Sequence, residues 1–407
     1  MLSTPNPCAL GARTSGPPSP PANSISSASA QPLASHFAVW QESPPMQQED
    51  DGAPSDQKDP PGIDCAILRP LLAPTIAGAD APLRARLLSG GRSNLTYLIE
   101  NAAGAWVLRR PPLGHVLPTA HDMAREFRIL SALATSDVPV PRPLMLCEDP
   151  SVLGAPFYVM EYRHGIVVEA ALPAGLAETH DERRQLSEIV IDTLVRLHSI
   201  DWRERGLAGF GRPEGYLERQ LARWRRQWEA SRTRDLPEVE RVLTLLESTR
   251  PASGDATIVH GDFRLGNLML APQSPPRLVA VLDWEMATLG DPLADLGWLL
   301  IYWGEPGDLG TGGGLQDAMA STALPGFLTR RELAERYAQA RGICVGATDF
   351  YEVFSLLKLA VIAEGIRARF LAGRTVGAGF SGIDATAPLI RRALDRASAA
   401  ADARLRP

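Results

Sequence analysis

The sequence has little of three features that would point to particular classes of protein. Its 407 residues include four cysteines, scattered without the close spacing of metal ligands, as is typical of reduced thiols in a cytoplasmic protein. The net charge of −6 gives no reason to expect a nucleic acid or an anionic membrane as a partner. No apolar run approaches the ~18 residues needed to span a bilayer. The length exceeds that of one ordinary core, so we expect a two-lobed or two-domain body.

Residues 1–62 differ in composition from the remainder of the chain. Twelve of the 35 prolines lie there, with many serines and alanines and no sustained periodicity. Such a segment cannot bury enough apolar surface to offset its loss of conformational entropy, so we predict that it is disordered. The first 41 residues contain no acidic side chain, which suggests a transit peptide, although they hold one arginine and no amphipathic helix. A misplaced start codon is a third interpretation.

Two apolar runs between residues 258 and 296 each lead into polar side chains suited to phosphate chemistry. The first leads into an HGD triplet that ends at Asp262, and Asn267 follows five residues later. The second, residues 278–282, is a predicted strand that delivers Asp283. Mg²⁺ prefers hard oxygen ligands, which Asn267 and Asp283 can supply. Asp262 is then left to accept a hydrogen bond from an attacking hydroxyl. Turn chemistry is the alternative interpretation of the aspartate and asparagine alone.

These motifs resemble those of the aminoglycoside phosphotransferase-like family of small-molecule kinases, which share the protein-kinase fold. The resemblance rests on HGDFRLGN followed by LDWE, where protein kinases have HRD and DFG, and it covers residues 84–391. It is strongest to the branch found alone in bacteria or fused to acyl-CoA dehydrogenases. It implies an α+β, bilobed, kinase-like fold: a small β-rich N-lobe over residues 63–160, a hinge over 161–165 and a larger helical C-lobe over 166–400.

The resemblance also implies a nucleotide site in the first lobe. Two predicted strands flank a glycine-containing hairpin that places Ser93 and Asn94 near the β- and γ-phosphates. The next strand has Arg109 where the family has lysine, and Glu126 on the following helix is its ion-pair partner. Arginine keeps the charge of lysine but presents a different donor geometry. Arg110, on the other face of the strand, is the alternative phosphate ligand.

The remaining implied roles concern the adenine, the metal and the reacting groups. Backbone groups of three hinge residues are expected to meet the adenine edge: Glu161, Tyr162 and Arg163. ATP is the expected phosphate donor, with GTP left open, and Mg²⁺ is expected on Asn267 and Asp283. Asp262 is the base or positioning group, and Arg264 stabilises the transferring phosphoryl group.

A helix predicted over residues 214–232 carries an unusual number of arginines. Three of them, Arg219, Arg223 and Arg226, are spaced at i, i+4 and i+7, which places them on one face. Like charges held together need acidic neighbours or an anionic ligand. The related branch includes kinases of hydroxyacyl-CoA thioesters, whose phosphates suit arginine. We therefore predict an anionic small-molecule acceptor, of which a hydroxyacyl-CoA is one candidate. A solvated charged face is the alternative.

The sequence thus predicts a phosphotransferase that uses ATP to phosphorylate a hydroxyl of a small molecule. One rival interpretation is a pseudokinase that binds a nucleotide or a partner without catalysis. The arginine in place of lysine motivates it, whereas the complete set of Asp262, Asn267 and Asp283 argues against it. The other rival is a protein kinase. HGD in place of HRD and the lack of an APE-like segment count against that interpretation.

Overall fold

A computed structural model of the chain describes residues 59–89, 94–113, 121–308, 314–343, 346, 348–373 and 385–404. The predicted tail up to residue 58 and the hairpin residue Ser93 lie outside these ranges. Among the helices that are described, none is long and apolar enough to cross a membrane.

The first lobe is built on an antiparallel sheet in the order β1-β2-β3-β5-β4. Its strands are β1 (Arg84–Ser89), β2 (Leu95–Asn101), β3 (Gly104–Arg110), β4 (Pro143–Cys147) and β5 (Phe157–Glu161). Successive side chains of a strand point to opposite faces. Leu98 belongs to the apolar cluster with helix α2, Met123–Leu133, whereas its neighbour Ile99 belongs to the cluster with α1, Cys65–Leu72. The sheet is therefore covered on both faces.

Residues 59–62 contact the first lobe, although their composition assigns them to the tail. The hydroxyl of Tyr97 donates to the carbonyl oxygen of Pro61 at 2.6 Å. The guanidinium of Arg110 donates to the carbonyl oxygen of Gly62 at 2.5 Å. These residues therefore contact the first lobe, and the domain boundary at residue 62 stays a prediction.

The second lobe is mainly helical and contains two small sheets. The short helix α3 (Pro150–Leu153) still belongs to the first lobe. The helices of the second lobe are α4 (His180–Ser199), α5 (Tyr216–Ser231), α6 (Pro237–Ser248), α7 (Leu293–Tyr302), α8 (Gly314–Ala320), α9 (Arg330–Arg341), α10 (Thr348–Leu371) and α11 (Thr386–Arg404). Its strands are β6 (Ile166–Val167), β7 (Thr257–Val259), β8 (Leu268–Leu270), β9 (Leu278–Val281) and β10 (Thr288–Gly290). They pair as β6-β8-β9 and β10-β7.

Two apolar cores hold the second lobe together and present its polar loops to the first. One core contains side chains of α4, α9 and the small strands, and it continues into the first lobe at α2 and β5. The other joins α5, α6, α10 and α11. Helix α7 contributes Leu296 to the first core and Trp298 to the second. The loops after β7 and β9 emerge beside α7, between the two cores.

Candidate active site

Backbone contacts to a buried carboxylate fix the loop that follows β7. Asp295 of α7 accepts hydrogen bonds from the backbone N of His260 at 2.6 Å and of Gly261 at 2.8 Å. Gly261 has a φ of +85°, and a Cβ there would lie 2.7 Å from the carbonyl oxygen of Met286. The close approach and the left-handed conformation both require glycine at this position. The loop is thus held rigidly just before Asp262.

Nitrogen donors hold both carboxylate oxygens of Asp262. Asn267 Nδ2 lies 2.7 Å from Oδ2, and Trp298 Nε1 lies 2.6 Å from Oδ1. The guanidinium of Arg264 is slightly farther away, with Nε 3.6 Å from Oδ1, and it also lies 5.2 Å from the ring centroid of Tyr302. The Asp262 side chain remains 20% exposed, so it is accessible from the cleft. Arg264 is close enough to share a substrate with Asp262.

Two further side chains carry oxygens available to a cation. Asn267 Oδ1 is buried and accepts no hydrogen bond within the part of the chain that the structure describes. Asp283 follows β9 with a φ of +64°, which is uncommon for a non-glycine residue and turns its carboxylate into the cleft. An unpartnered amide oxygen and a carboxylate are the hard ligands that Mg²⁺ takes together with substrate phosphates. The residues present therefore fit the metal that the sequence predicts.

Arg109 extends from the sheet into the same cleft. Its Nη2 lies 3.2 Å from Glu126 Oε1 and 3.5 Å from Asp283 Oδ1, and the side chain is almost fully buried. Arg110 points the other way and donates to the carbonyl oxygen of Leu153 as well as to that of Gly62. Arg109 is therefore the guanidinium that faces the cleft, paired with the glutamate that the resemblance assigned to it.

Asn94, which directly precedes β2, contacts residues of both lobes. Its Nδ2 lies 3.5 Å from Glu126 Oε2 and 3.3 Å from Glu285 Oε2, and its Oδ1 accepts from His121 Nδ1 at 2.8 Å. Burial, and then the neighbouring Asp283 carboxylate, raise the pKa of Glu285 to about 8. Burial lowers the pKa of His121, and Arg109 adds to that effect. A neutral imidazole and a largely protonated Glu285 therefore surround Asn94 at neutral pH.

The three predicted hinge residues lie where β5 ends and the second lobe begins. Glu161 Oε2 accepts from Arg163 Nη2 at 3.0 Å and from the backbone N of Arg142 at 3.3 Å. The ring of Tyr162 packs edge-on against His164, with 4.7 Å between ring centroids. These side chains contact one another and their near neighbours. Adenine recognition by the backbone of this segment stays a prediction.

A cavity of about 230 Å³ adjoins the loops that carry Asp262 and Asp283. Residues of α2, α5, α7, α10 and both loops line it, and five of them can carry charge: Arg125, Arg223, Glu285, Asp295 and Lys358. The ammonium of Lys358 donates to the carbonyl oxygen of Gly261 and lies 3.7 Å from the ring centroid of Trp298. The cavity is large enough for part of a small molecule, and Gly261, the residue before Asp262, is part of its lining.

The three arginines predicted on one face of α5 have separate environments. Arg219 donates to the carbonyl oxygens of Glu214 and Arg212, so its guanidinium binds the start of its own helix. Arg226 is exposed and does not line the cavity, whereas Arg223 does. The three arginines therefore do not share one environment, and Arg223 is the one among them that lines the cavity. Their joint action on an anionic acceptor stays a prediction.

Some residues of the site carry no motif in the sequence. Trp298 lies within the apolar run of α7, where an indole suggests only core packing. Lys358 is one of two lysines in the chain, the other being Lys58, and it interrupts a long apolar helix. A charge at such a position is a usable signal, because an isolated buried ammonium is costly. His121 and Glu285 each contact Asn94 from distant parts of the chain, which local spacing does not show.

The bilobed fold is that of the kinase-like phosphotransferases. The sequence profile of the phosphotransferase enzyme family matches residues 84–351, and the chain belongs to that family. The structure is similar to that of a protein from Ralstonia eutropha JMP134 assigned to the aminoglycoside phosphotransferases, with a TM-score of 0.70, 30% identity, and coverage of 82% of this chain and 98% of that one.

Two curated relatives are larger proteins. Acyl-CoA dehydrogenase family member 11 of Gallus gallus is 37% identical over 297 residues, which cover 72% of this chain and 37% of the relative. Acyl-CoA dehydrogenase family member 10 of Mus musculus is 37% identical over 301 residues, which cover 74% of this chain and 28% of the relative. A microcompartment-associated aminopropanol kinase shares the fold, with a TM-score of 0.53 and 19% identity over 83% of this chain and 98% of that one.

Proposed function

We propose that the protein transfers the terminal phosphoryl group of ATP, bound with Mg²⁺, to a hydroxyl of a small anionic molecule. The observation that carries the proposal is the arrangement at Asn267. Its amide nitrogen donates to the carboxylate of Asp262, while its buried oxygen accepts no hydrogen bond from any residue that the structure describes. One side chain therefore joins the group that would face the acceptor hydroxyl to the group that would face the metal.

Each cleft residue has a role that follows from its charge and position. Asp262 accepts the hydrogen bond of the acceptor hydroxyl and orients its oxygen toward phosphorus. Arg109 binds phosphate oxygens of the nucleotide, and Glu126 keeps its guanidinium in the cleft. Arg264, beside Asp262, places a second guanidinium where negative charge is transferred. Bound Mg²⁺ would lie on Asn267 and Asp283 and neutralise charge on the phosphates.

The cavity favours an anionic acceptor. Arg125, Arg223 and Lys358 place three cations in its wall, whereas Asp295 is already engaged by two backbone N–H groups of the catalytic loop. Burial and the Asp283 carboxylate raise the pKa of Glu285, which weakens the negative charge that this carboxyl contributes. The wall is therefore positive on balance. The acyl-CoA dehydrogenase names of the larger relatives agree with a hydroxyacyl-CoA as the acceptor class.

The test is a phosphate-transfer screen of the full chain with Mg·ATP. The acceptors are hydroxyacyl-CoA thioesters such as 3-hydroxybutyryl-CoA, neutral alcohols and cationic aminoglycosides. We expect transfer to the thioesters, and we expect Asp262→Asn to reduce turnover at least ~100-fold because the proton acceptor is lost while the shape is kept.

Calorimetry of Mg·ATP binding provides the control for this screen. Asp262→Asn should bind the nucleotide as the unchanged protein does, since Asp262 is assigned to the acceptor side. Turnover with a cationic or neutral acceptor alone would exclude the anionic class. Full activity of Asp262→Asn would remove Asp262 from the mechanism.

A further inference from the structure

Trp298 combines the burial of a core residue with a hydrogen bond to the reacting group. Its side chain belongs to the apolar cluster of α5, α10 and α11 and is 3% exposed. Its indole N–H nevertheless leaves that core and donates to Asp262 Oδ1 at 2.6 Å. A donor to a charged acceptor at this distance makes a stronger bond than one to a neutral oxygen.

Other indoles of the chain show what a packing tryptophan does with its donor. Trp202 and Trp284 donate to backbone carbonyl oxygens at 3.0 Å, and Trp303 does so to Leu328 at 2.7 Å. These bonds satisfy a buried N–H within the local fold. The bond from Trp298 instead ends on a side chain that the mechanism requires to be oriented.

We propose that Trp298 is a positioning residue for phosphoryl transfer, which fixes the carboxylate of Asp262 toward the acceptor; this inference rests on the proposed function. With Oδ2 held by Asn267 and Oδ1 held by Trp298, rotation of the carboxylate would break one of two short bonds. Without the indole donor, Oδ1 is free to turn toward Arg264, whose Nε is already 3.6 Å away. The existing ion pair with Arg264 would then tighten at the expense of the hydrogen bond to the acceptor.

Lys358 fixes the indole in turn. Its ammonium lies 3.7 Å from the ring centroid of Trp298, within the range of a cation–π interaction, and it also donates to the carbonyl oxygen of Gly261. The same ammonium lines the cavity. The indole is therefore held from its face by a residue of the cavity wall and from its edge by Asp262. Trp298 therefore contacts both the reacting carboxylate and a lysine of the cavity wall.

The experiment compares Trp298→Phe with Trp303→Phe. Trp298 lies within α7 and Trp303 directly follows its last residue. Each change removes one buried indole N–H and keeps an aromatic ring, so the two variants match in size, burial and the loss of one hydrogen bond. Phosphoryl transfer is followed as ADP release from Mg·ATP, with 3-hydroxybutyryl-CoA and with water as acceptors. The assays are run below the lower of the two melting temperatures. We expect kcat of Trp298→Phe to fall ~10- to 100-fold, as small misplacements of a reacting group do.

The Michaelis constant for Mg·ATP should stay the same in Trp298→Phe, because the indole faces the acceptor side. Trp303→Phe should keep the kcat of the unchanged protein even if its melting temperature falls. Equal kcat values for the two variants would overturn the role of Trp298 while leaving the proposed function intact. An unchanged protein that releases no ADP with either acceptor would instead refute the proposed function. A rise confined to the Michaelis constant of Mg·ATP would also overturn the inference.

Discussion

At the scale of single residues, Lys358 is a buried charge whose burial costs free energy. Burial lowers the pKa of its ammonium to about 8, although the carboxylates of Asp262 and Asp295 favour the charged form; Arg223 opposes it. The pKa of a lysine is ordinarily near 10.5. Between about pH 8 and pH 10.5, the Lys358 ammonium is therefore protonated in the unfolded chain but has lost its proton in the folded chain. The contribution of Lys358 to stability therefore rises with pH across this window.

We accordingly expect the stability difference between Lys358→Met and the unchanged protein to depend on pH. The variant does not bury a charge. Its free energy of unfolding, minus that of the unchanged protein, should therefore be highest near pH 7 and should decline toward pH 10. Denaturant unfolding at several pH values measures this difference. Glu285, whose pKa is also about 8, is present in both proteins, so it largely cancels from the comparison.

The titration can also be followed directly, because the chain has only two lysines. Labelling with ¹³C at the ε carbon gives two lysine signals, and Lys58→Arg identifies which of them is Lys358. We expect this signal to titrate near pH 8. A midpoint near pH 10.5, or a stability difference that is the same at pH 7 and pH 10, would show that burial does not lower the pKa of Lys358.

Residues differ in how far sequence alone predicts their place. Asp262, Asn267 and Asp283 follow from a motif, because five residues of chain and one strand fix their relation. Successive side chains of a strand point to opposite faces, so a known register is enough to decide whether Arg109 or Arg110 faces the cleft. Lys358 reaches Gly261 across 97 residues of chain, and Trp298 reaches Asp262 across 36. No local pattern encodes such contacts, since they depend on how helices pack.

At the scale of elements, α5 (Tyr216–Ser231) matches the helix predicted over residues 214–232, and β9 (Leu278–Val281) matches the strand predicted over residues 278–282. Helix α6 falls outside the predicted elements, although Val239, Val242, Leu243 and Leu246 have the i, i+3, i+4, i+7 spacing of a buried face. Helix α1 has a proline inside it, at Pro70, which weakens a helical prediction. Its N-cap and its packing under the sheet compensate.

The arginines of helix α5 allow a test of how the acceptor is bound. Arg223 lines the cavity, and Arg226, three residues further along the same helix, is exposed outside it. We expect Arg223→Gln to raise the Michaelis constant for 3-hydroxybutyryl-CoA ~10-fold or more, as the loss of one charged hydrogen bond does. The constant for Mg·ATP should not change. The effect should shrink at high salt, because the screened charges are partly exposed.

Arg226→Gln is the matched control, since it removes the same charge from the same helix. Its Michaelis constants should equal those of the unchanged protein. Equal effects of the two substitutions would mean that the helix attracts the acceptor through its total charge. No effect of either would return all three arginines to the role of a solvated face.

At the scale of the whole molecule, polar contacts across the cleft hold the two lobes in one arrangement. Arg125 of α2 donates to the carbonyl oxygen of Ala287 at 2.9 Å, and its guanidinium carbon lies 3.9 Å from the ring centroid of Phe210. Arg128 donates to the carbonyl oxygens of Gly206 and Ala208 at 2.8 Å each. Helix α2, which carries Glu126, is thereby attached to the larger lobe. The pairing of Glu126 with Arg109 is therefore supported from both lobes.

The start of the described chain gives the last prediction. Composition leads us to expect that residues 1–58 bury little apolar surface, whereas residues 59–63 contact the first lobe. Asp59 Oδ2 accepts from the backbone N of Cys65 at 2.7 Å, and Pro61 accepts from the hydroxyl of Tyr97. Deleting residues 1–58 should leave the melting temperature and kcat as they are. Deleting residues 1–63 should lower the melting temperature by about 5 °C or more, since each buried donor left unpaired costs about 1–3 kcal/mol.

Calorimetry of the two deletion variants and the full chain measures these differences. The shorter deletion is the control for the longer one, because the two differ only in residues 59–63. The nucleotide cleft lies on the other side of β3 from residues 59–63, as the opposite directions of Arg109 and Arg110 show. The longer deletion should therefore reduce stability more than it changes the Michaelis constant for Mg·ATP. A fall of several degrees on removing residues 1–58 would show that this segment packs on the body. Identical melting temperatures for both deletions would mean that the contacts of residues 59–63 contribute nothing measurable.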